Sequence, residues 1–323
     1  MDNEYKQSEY FVGYLDILGY KELFTRHKDK TDEFLFAINE AFKETKNEEK
    51  SSSKLNQIVK PEIKIFSDNI VIAFKCKYEI SDYVLFLGLI RLMAKIQFKF
   101  CIKYGLILRG CISKGLFYIN ENLVFGEALI KSYEAERTAC FPRIILENDY
   151  IEKILVFINS EAQGERNILI RNNASALFQL YVLLDSDGKY FINYMPIYPR
   201  DILMDNVKIQ NYFLRNYTEP SQTFIEYFGV NFDNKEQILK HKDLLIEKIM
   251  EYGNYKDIDS TDIKKIDERR KVLLKYMWLV EYHNKACEII DLNDYKINYK
   301  LEMDPLSHEP TVMVKTSELV DTI

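Results

Sequence analysis

The chain has 323 residues, of which 47% are hydrophobic and 29% are charged, a composition that supports a packed core and excludes global disorder. Lys and Arg number 44 and Asp and Glu number 50, so the formal net charge is −6. Because neutralising backbone phosphates needs a basic surface, this charge argues against duplex nucleic acid as the main partner. It does not exclude a small anionic ligand held by a few local cations.

The cysteines and the apolar stretches predict a cytoplasmic protein with no membrane association. The five cysteines are widely spaced and no pair has CxxC spacing, which argues against a disulfide framework or a thiolate zinc site. The polar, acidic start MDNEYKQSEY does not resemble a signal peptide. Residues 83–105 are apolar but are interrupted by four Lys and Arg residues, which is typical of an amphipathic helix rather than of a membrane span.

The first 75 residues predict a strand, helical structure and a β-hairpin. The sequence YFVGYLD (10–16) is an aromatic and apolar run typical of a buried strand. Residues 20–46 have apolar side chains at helical spacing. Residues 61–74 form two β-rich runs around Asp68 and Asn69, which both tolerate positive φ, so we expect a tight turn with Asp68 at its tip.

The following segments alternate between helix and strand. Apolar spacing predicts a helix over residues 80–104, ended by Gly105 as a C-cap, and strands over residues 106–119 and 142–146. A further helix is expected to start at Phe125-Gly126 and to end near Arg137. Residues 181–194 predict a hairpin that turns at the sequence DSDG.

This order of elements predicts an α+β fold. The pattern up to about residue 146 contains the βαββαβ order of a ferredoxin-like palm. After about residue 205, residues 223–253 and 263–290 are charged and have helical periodicity. We therefore expect a first domain over residues 1–200 and a mainly helical C-terminal extension over residues 201–323.

Two aspartates stand where a metal site is expected. Asp16 ends the first predicted strand and Asp68 lies at the hairpin tip, and in a palm sheet these two ends can be adjacent. Their carboxylates, with the backbone carbonyl of Ile17, would make an oxygen-rich site suited to Mg²⁺ or Mn²⁺ bound together with a nucleoside triphosphate. The alternative is that both aspartates only form turns, and spacing alone does not separate the two interpretations.

Four blocks of sequence resemble the class III nucleotidyl cyclases, in that family's order. They are DILGY (16–20), KIFSDNIVIAF (64–74), LRGCISKG (108–115) and FGEALIKSYEAE (125–136), and the resemblance covers about residues 10–147. The residues of the last two blocks and of the PRI that follows are most similar to those of the cyclases of Pycsar antiphage defence, which make cyclic CMP or cyclic UMP. KYMWLVEYHN (275–284) also resembles a C-terminal pattern of such bacterial proteins.

The resemblance implies roles for some residues and the absence of others. Asp16 and Asp68 match the two metal-binding aspartates, and Lys64 matches a lysine that contacts the base in adenylyl cyclases. Ile130 and Glu134 occupy the positions of the family's transition-state Asn and Arg, and the residue at the position of the purine-reading Asp is Leu123. These departures argue against ATP and GTP as substrates and are compatible with another base or with no activity.

The reaction needs a cation that offsets charge at the α-phosphate, and several residues are candidates. Arg137 lies one turn beyond Glu134 on the same helical face, and Lys131 is a neighbour; we predict these two as catalytic cations. Arg109 is the candidate for substrate binding near a strand end, where Lys114 and Arg143 are further candidates. For each cation the alternative is a solvated surface charge, and Lys131 has glutamates within salt-bridge spacing.

Base recognition is expected from an aromatic side chain. A pyrimidine leaves more room in the pocket than a purine, and a Phe or Tyr ring can fill that space and stack on the base. Phe66, Tyr118 and Phe125 are the candidates, with Phe66 preferred. Core packing is the alternative for each.

The expected function is therefore cyclisation of CTP or UTP to a 3′,5′-cyclic nucleotide and pyrophosphate. The resemblance implies a homodimer with composite sites, and an antiphage signal read by a separate effector that senses the cyclic nucleotide. The alternatives are a purine cyclase, a catalytically inactive nucleotide-binding sensor or scaffold, and an oligonucleotide or cyclic-dinucleotide synthase. The absence of a GGDD or GGDEF sequence counts against the last of these.

Overall fold

The computed structural model describes residues 6–19, 31–48, 60–78, 80–160, 175, 178, 181–195, 235–253, 262–289, 292–303 and 310–314. These residues fall into two compact units, the first within residues 6–195 and the second within residues 235–314. The domain boundary predicted at residue 200 lies outside the described residues. Among the described helices, none combines the length and the apolar character that crossing a membrane requires.

The first unit contains strands and helices in alternation, as expected for a mixed α and β fold. Its elements are β1 (Ser8–Ile17), α1 (Thr31–Glu48), β2 (Glu62–Phe66), β3 (Asn69–Lys75), α2 (Asp82–Tyr104), β4 (Leu108–Ile119), β5 (Val124–Phe125), α3 (Glu127–Arg137), β6 (Ile144–Leu146), α4 (Asn148–Asn159), β7 (Val182–Leu184) and β8 (Tyr190–Ile192).

The strands form one sheet in the order β2-β3-β1-β4-β6-β8-β7, and β5 pairs with β4 at the side. The first four of these strands are antiparallel to their neighbours, whereas β4 and β6 run parallel. The strand β1 lies inside the sheet, and all its residues from Tyr10 to Leu15 are buried. This position explains why its sequence is a continuous aromatic and apolar run rather than an alternating one.

Helices cover both faces of β1. Tyr10, Val12 and Tyr14 belong to a buried cluster that includes Ala128 of α3. On the opposite face the ring of Phe11 packs against Phe86 of α2 with 5.5 Å between centroids. The strand β1 therefore lies between α2 on one face and α3 on the other.

The predicted end of α2 is confirmed. Gly105 adopts the left-handed conformation with φ 64°, and its N–H donates to the carbonyl of Cys101 at 3.0 Å. Such a cap satisfies carbonyls that would otherwise lack a partner at a helix C-terminus, and glycine adopts this conformation at no steric cost.

The predicted β2–β3 hairpin is also present, but the expected backbone of its turn is wrong. Phe66 pairs with Asn69, so Ser67 and Asp68 are the two turn residues. The positive φ, 55°, belongs to Ser67 and not to Asp68 or Asn69. The helix α3 likewise starts slightly later than predicted, because Phe125 pairs with Tyr118 in a short strand.

The second unit contains two long helices and a small sheet. Its elements are α5 (Lys235–Gly253), α6 (Ile263–Ile289), a 3₁₀ turn (Asn293–Tyr295), and a two-stranded antiparallel sheet of β9 (Tyr299–Met303) and β10 (Pro310–Val314). The two helices fall within the segments whose periodicity predicted them, whereas the sequence pattern gave no prediction for the strands.

Candidate active site

Asp16 and Asp68 occupy neighbouring positions at one end of the sheet. Asp16 is the last but one residue of β1 and is paired with Asn69, the residue after Asp68. The backbone N–H of Ile17 donates to the carbonyl oxygen of Asp68 at 3.1 Å. The end of β1 is thereby joined to the β2–β3 turn, in the adjacency that the sequence predicts for these strand ends.

A row of four side chains crosses the sheet at this end. Phe66 is opposite Asn69, Asn69 is opposite Asp16, and Asp16 is opposite Arg109 of β4. Directly opposed residues of antiparallel strands point to the same face, so the row places these four side chains on one side of the sheet. Tyr14, two residues before Asp16 on β1, points to that face as well. The row therefore combines an exposed aromatic ring, an amide, a carboxylate and a guanidinium.

Arg109 compensates the charge of Asp16. Its Nε donates to Oδ2 of Asp16 at 2.8 Å and lies 2.5 Å from Oε1 of Glu136. Glu136 belongs to α3 and is only 3% exposed, so its carboxylate holds the guanidinium from the helix side. Arg109 itself keeps 27% of its side chain exposed and can be reached by a ligand.

Asp68 is held by a different set of groups. The side-chain amide of Asn69 donates from Nδ2 to Oδ1 of Asp68 at 3.1 Å, and the hydroxyl of Tyr14 donates to Oδ1 of Asn69. Burial raises the pKa of Tyr14, and the negative charges of Asp16, Glu136 and Asp68 raise it further. The hydroxyl of Tyr14 therefore remains protonated at neutral pH and acts as a donor.

The other predicted cations lie in different settings. Lys131 is exposed and forms an ion pair with Glu127 one turn earlier at 2.7 Å, which is the salt bridge that its spacing allowed. Arg137 is exposed in the last turn of α3. Lys64 points to the same face as Tyr14, and its Nζ donates to the carbonyl oxygen of Glu121 at 2.9 Å. The structure brings Arg109 alone of these cations into contact with Asp16 among the described residues.

Arg143 and Lys114 do not fit the interpretations offered for them. The guanidinium of Arg143 is fully buried and forms ion pairs with Asp185 and Asp187 in the turn between β7 and β8. It is therefore neither a solvated charge nor accessible to a phosphate. Lys114 is bound to Asp82 at the start of α2, at 2.6 Å.

The donors at this end of the sheet are of the type that divalent cations prefer. Within the described residues no group of three or more His, Cys, Asp or Glu could hold a metal ion. A site built from two carboxylates is nevertheless typical of Mg²⁺, which is often bound by one or two carboxylates together with the phosphates of the substrate. Asp16 and Asp68, with the carbonyl of Ile17, therefore supply oxygen donors of the kind that such a cation takes from a protein.

Sequence reasoning missed three members of this site, which are Tyr14, Asn69 and Glu136. Tyr14 is separated from Asp16 by one residue in a strand, and this spacing alone indicates a shared face. Asn69 was considered only as a turn former. Glu136 lies within the matched FGEALIKSYEAE block, but its burial beside Arg109 follows from the packing of α3 on β4 and β1.

The chain matches no family model and no curated protein. Solved structures similar to it include the adenylyl cyclase CyaB from P. aeruginosa, with 11% identity and a TM-score of 0.36 over 59% of this chain and 96% of that one. A Class III adenylyl cyclase-like ATP-binding protein from Pseudomonas aeruginosa has 14% identity and a TM-score of 0.36, over 58% of this chain and 39% of that one. Similarities of this size describe the fold only and carry no argument about what the chain does.

Proposed function

We propose that the chain is a metal-dependent nucleotide cyclase that converts CTP or UTP to a 3′,5′-cyclic nucleotide and pyrophosphate. The observation that carries the proposal is the placement of Asp16 and Asp68 at one end of the sheet, joined by the bond from Ile17 to the carbonyl of Asp68. The strand order β2-β3-β1-β4, with α1 before β2 and α2 before β4, also corresponds to a ferredoxin-like βαββαβ palm. The four sequence blocks that resemble class III cyclases include both aspartates and their flanking strands.

The residues of the site suit the charge changes of cyclisation. The ribose 3′-oxygen attacks the α-phosphate and pyrophosphate leaves, so negative charge must be offset at the attacking and leaving oxygens. Asp16 and Asp68 would hold a divalent cation, and a bound cation would supply Lewis-acid stabilisation of those oxygens. Arg109 adds a guanidinium, which binds phosphate oxygens in a bidentate manner, and Glu136 keeps it beside Asp16.

We assign recognition of the base to the exposed end of the row of side chains that contains Asp16 and Arg109. Phe66 is 41% exposed and stands at the β2 end of the row that contains Asp16, where its ring can stack on a base. Lys64, two residues earlier in the strand, points to the same face and can contact the base edge after release from the carbonyl of Glu121. The resemblance to the Pycsar cyclases is the reason for preferring a pyrimidine base and an antiphage signal that a separate effector senses.

We further propose a homodimer with composite sites. Large apolar side chains within residues 123–133 are about half exposed: Leu123 52%, Phe125 57%, Ile130 55% and Tyr133 48%. Neighbouring exposed apolar side chains in one part of a fold are typical of an interaction surface. A second copy bound there would place Lys131 and Arg137 of one chain at the aspartates of the other.

The proposal is tested by incubating the purified chain with each of the four nucleoside triphosphates and Mn²⁺ or Mg²⁺, and by identifying products with mass spectrometry. We expect cyclic CMP or cyclic UMP, and a loss of at least about 100-fold in rate for Asp16→Ala and for Asp68→Ala, because each removes a carboxylate of the cation site. The matched control is Asp149→Ala, which removes an exposed aspartate from the first turn of α4. Full turnover in both site variants would reject the assignment, and cyclic AMP or cyclic GMP as the product would replace the pyrimidine substrate by a purine.

A second candidate is a nucleotide-binding protein without turnover. It is favoured by the ion pair between Arg109 and Asp16, which neutralises the aspartate without a metal ion, and by the apolar Ile130 at the position that the cyclases give to Asn. Tight binding of a triphosphate with no product after long incubation, in the presence of Mn²⁺, would select this function over the first.

A further inference from the structure

The backbone position of Asp68 does not restrict the orientation of its carboxylate. It is the second residue of a two-residue turn and is half-buried, and the preceding Ser67 is exposed. A side chain in such a turn keeps rotamer freedom, and ordering it costs free energy when a ligand binds. A cation site at this position therefore gains from any group that orders the carboxylate in advance.

Two hydrogen bonds connect Asp68 to the interior of the sheet. Asn69 donates from Nδ2 to Oδ1 of Asp68, and Tyr14 donates its hydroxyl hydrogen to Oδ1 of Asn69. Tyr14 is only 6% exposed and its ring contacts Tyr133 of α3 edge-on at 5.7 Å between centroids. The relay thus runs from a buried ring to a half-buried carboxylate.

The chemistry of the three groups fixes the direction of the relay. With its carboxamide reversed, Asn69 would turn its oxygen towards a carboxylate oxygen of Asp68, and two acceptors would face each other. Tyr14 donates its hydroxyl hydrogen to the other end of the carboxamide, at Oδ1 of Asn69. The carboxylate therefore selects the orientation in which the amide nitrogen of Asn69 points to Asp68, and the hydroxyl of Tyr14 holds the amide oxygen at the opposite end.

We infer that Tyr14 and Asn69 are positioning residues that hold the carboxylate of Asp68 for a divalent cation, an inference that rests on the proposed function. The amide donates to Oδ1 of Asp68, so Oδ2 would be available to the cation. Neither residue contacts the reacting atoms. Partners of this kind, which orient a metal ligand from behind, typically change metal affinity by about 10- to 100-fold when they are removed.

The chain provides a matched control for Tyr14. Tyr10 lies on the same strand and the same face, is also 6% exposed, and also donates its hydroxyl hydrogen to a side chain, at 3.0 Å to Oε1 of Glu62. Tyr10→Phe and Tyr14→Phe therefore remove the same group from equal burial. They differ in the partner of that hydroxyl, because Tyr14 binds Asn69, which in turn binds Asp68, whereas Tyr10 binds Glu62.

The first measurement is Mn²⁺ binding, followed by the electron paramagnetic resonance signal of the free ion. We expect about 10-fold weaker binding for Tyr14→Phe, about 10- to 100-fold weaker binding for Asn69→Ala, and a change below about 2-fold for Tyr10→Phe. Because Tyr14 acts through Asn69, the double variant should bind no more weakly than Asn69→Ala. Equal affinities for the two tyrosine variants, or losses that multiply in the double variant, would overturn the inference.

The second measurement does not depend on the metal. The side-chain amide signals of Asn69, assigned by their loss in Asn69→Ala, should shift and exchange faster with solvent in Tyr14→Phe and stay unchanged in Tyr10→Phe. Unchanged amide signals in Tyr14→Phe would refute the relay. If the unaltered protein binds no Mn²⁺, or if Asp68→Ala binds it equally well, the proposed cation site fails while the amide signals still decide whether Tyr14 orients Asn69.

Discussion

Replacing Gly126 by Ala should weaken the packing of α3 on the sheet that it covers and lower the free energy of unfolding. Gly126 precedes the first residue of α3 and has φ 143°, a conformation that side-chain-bearing residues rarely adopt. A Cβ atom there would lie 2.4 Å from the carbonyl oxygen of Leu116 and 2.7 Å from Cα of Phe117. Both atoms belong to the backbone of β4, so no side-chain rotation can relieve the overlap.

Two costs add in this variant. Holding a residue other than glycine in such a backbone conformation costs about 1–3 kcal/mol. Overpacking against a rigid neighbour costs about 1–3 kcal/mol more. We therefore expect Gly126→Ala to lower the free energy of unfolding by about 3 kcal/mol or more, and to weaken the contact of Glu136 on α3 with Arg109.

The control is Gly188→Ala. Gly188 also has positive φ, 78°, but an added Cβ atom would meet nothing within 4 Å. Only the backbone cost remains there, about 1–2 kcal/mol. Urea unfolding followed by circular dichroism gives both free energies, and hydrogen exchange of residues 116–137 locates the effect. A loss for Gly126→Ala no larger than that for Gly188→Ala would refute the argument from backbone overlap.

Two further predictions concern buried charge. Arg143→Met should lower the free energy of unfolding by about 3–5 kcal/mol, because it leaves Asp185 and Asp187 without the buried guanidinium that compensates them. The control is Lys153→Met on the exposed side of α4, which should change this free energy by less than about 0.5 kcal/mol in the same urea experiment. Burial, together with the charge of His283, lowers the pKa of His241 well below its usual value, so below about pH 6.5 the unfolded chain binds a proton that the folded second unit does not. The free energy of unfolding of the second unit should therefore be at its full value above that pH and fall by up to about 1.4 kcal/mol per pH unit on acidification. The fluorescence of Trp278 follows this unfolding. An unchanged dependence of the unfolding free energy on pH in His241→Leu would contradict this cause.

The elements of the first unit could be predicted from sequence where local physical chemistry determines them. The uninterrupted apolar run of β1 indicates a strand covered on both faces, and α2 ends at Gly105 as its pattern predicts. The neighbourhood of Asp16 and Asp68 also follows, because a strand end and a hairpin tip meet once β1 and β3 pair. In each case the signal lies within one segment or in the pairing of two adjacent elements.

Contacts between distant segments could not be predicted in this way. Arg109 reaches Asp16 across 93 positions of sequence because β4 pairs with β1 in one register, and a shift by one residue would turn Arg109 to the other face. His241 and His283 are 42 positions apart in sequence, yet their Nδ1 atoms lie 3.0 Å apart in the core of the second unit. These contacts depend on register and packing, which no local pattern encodes.

The charge balance at Asp16 links the two candidate functions. A half-buried carboxylate at a strand end needs a partner, and Arg109 supplies one in the described structure. A divalent cation at Asp16 would compete with that guanidinium. Since Arg109 also lies against the buried carboxylate of Glu136, its release from Asp16 would not leave it uncompensated. Under the proposed function, Glu136 would therefore allow a cation to bind at Asp16 while Arg109 turns towards phosphate, because the guanidinium keeps one carboxylate partner. In an Arg–Asp pair without a second carboxylate, replacing the guanidinium by a cation would leave the arginine without a partner in the protein. The contact with Glu136 thus distinguishes this arrangement from an ordinary structural salt bridge.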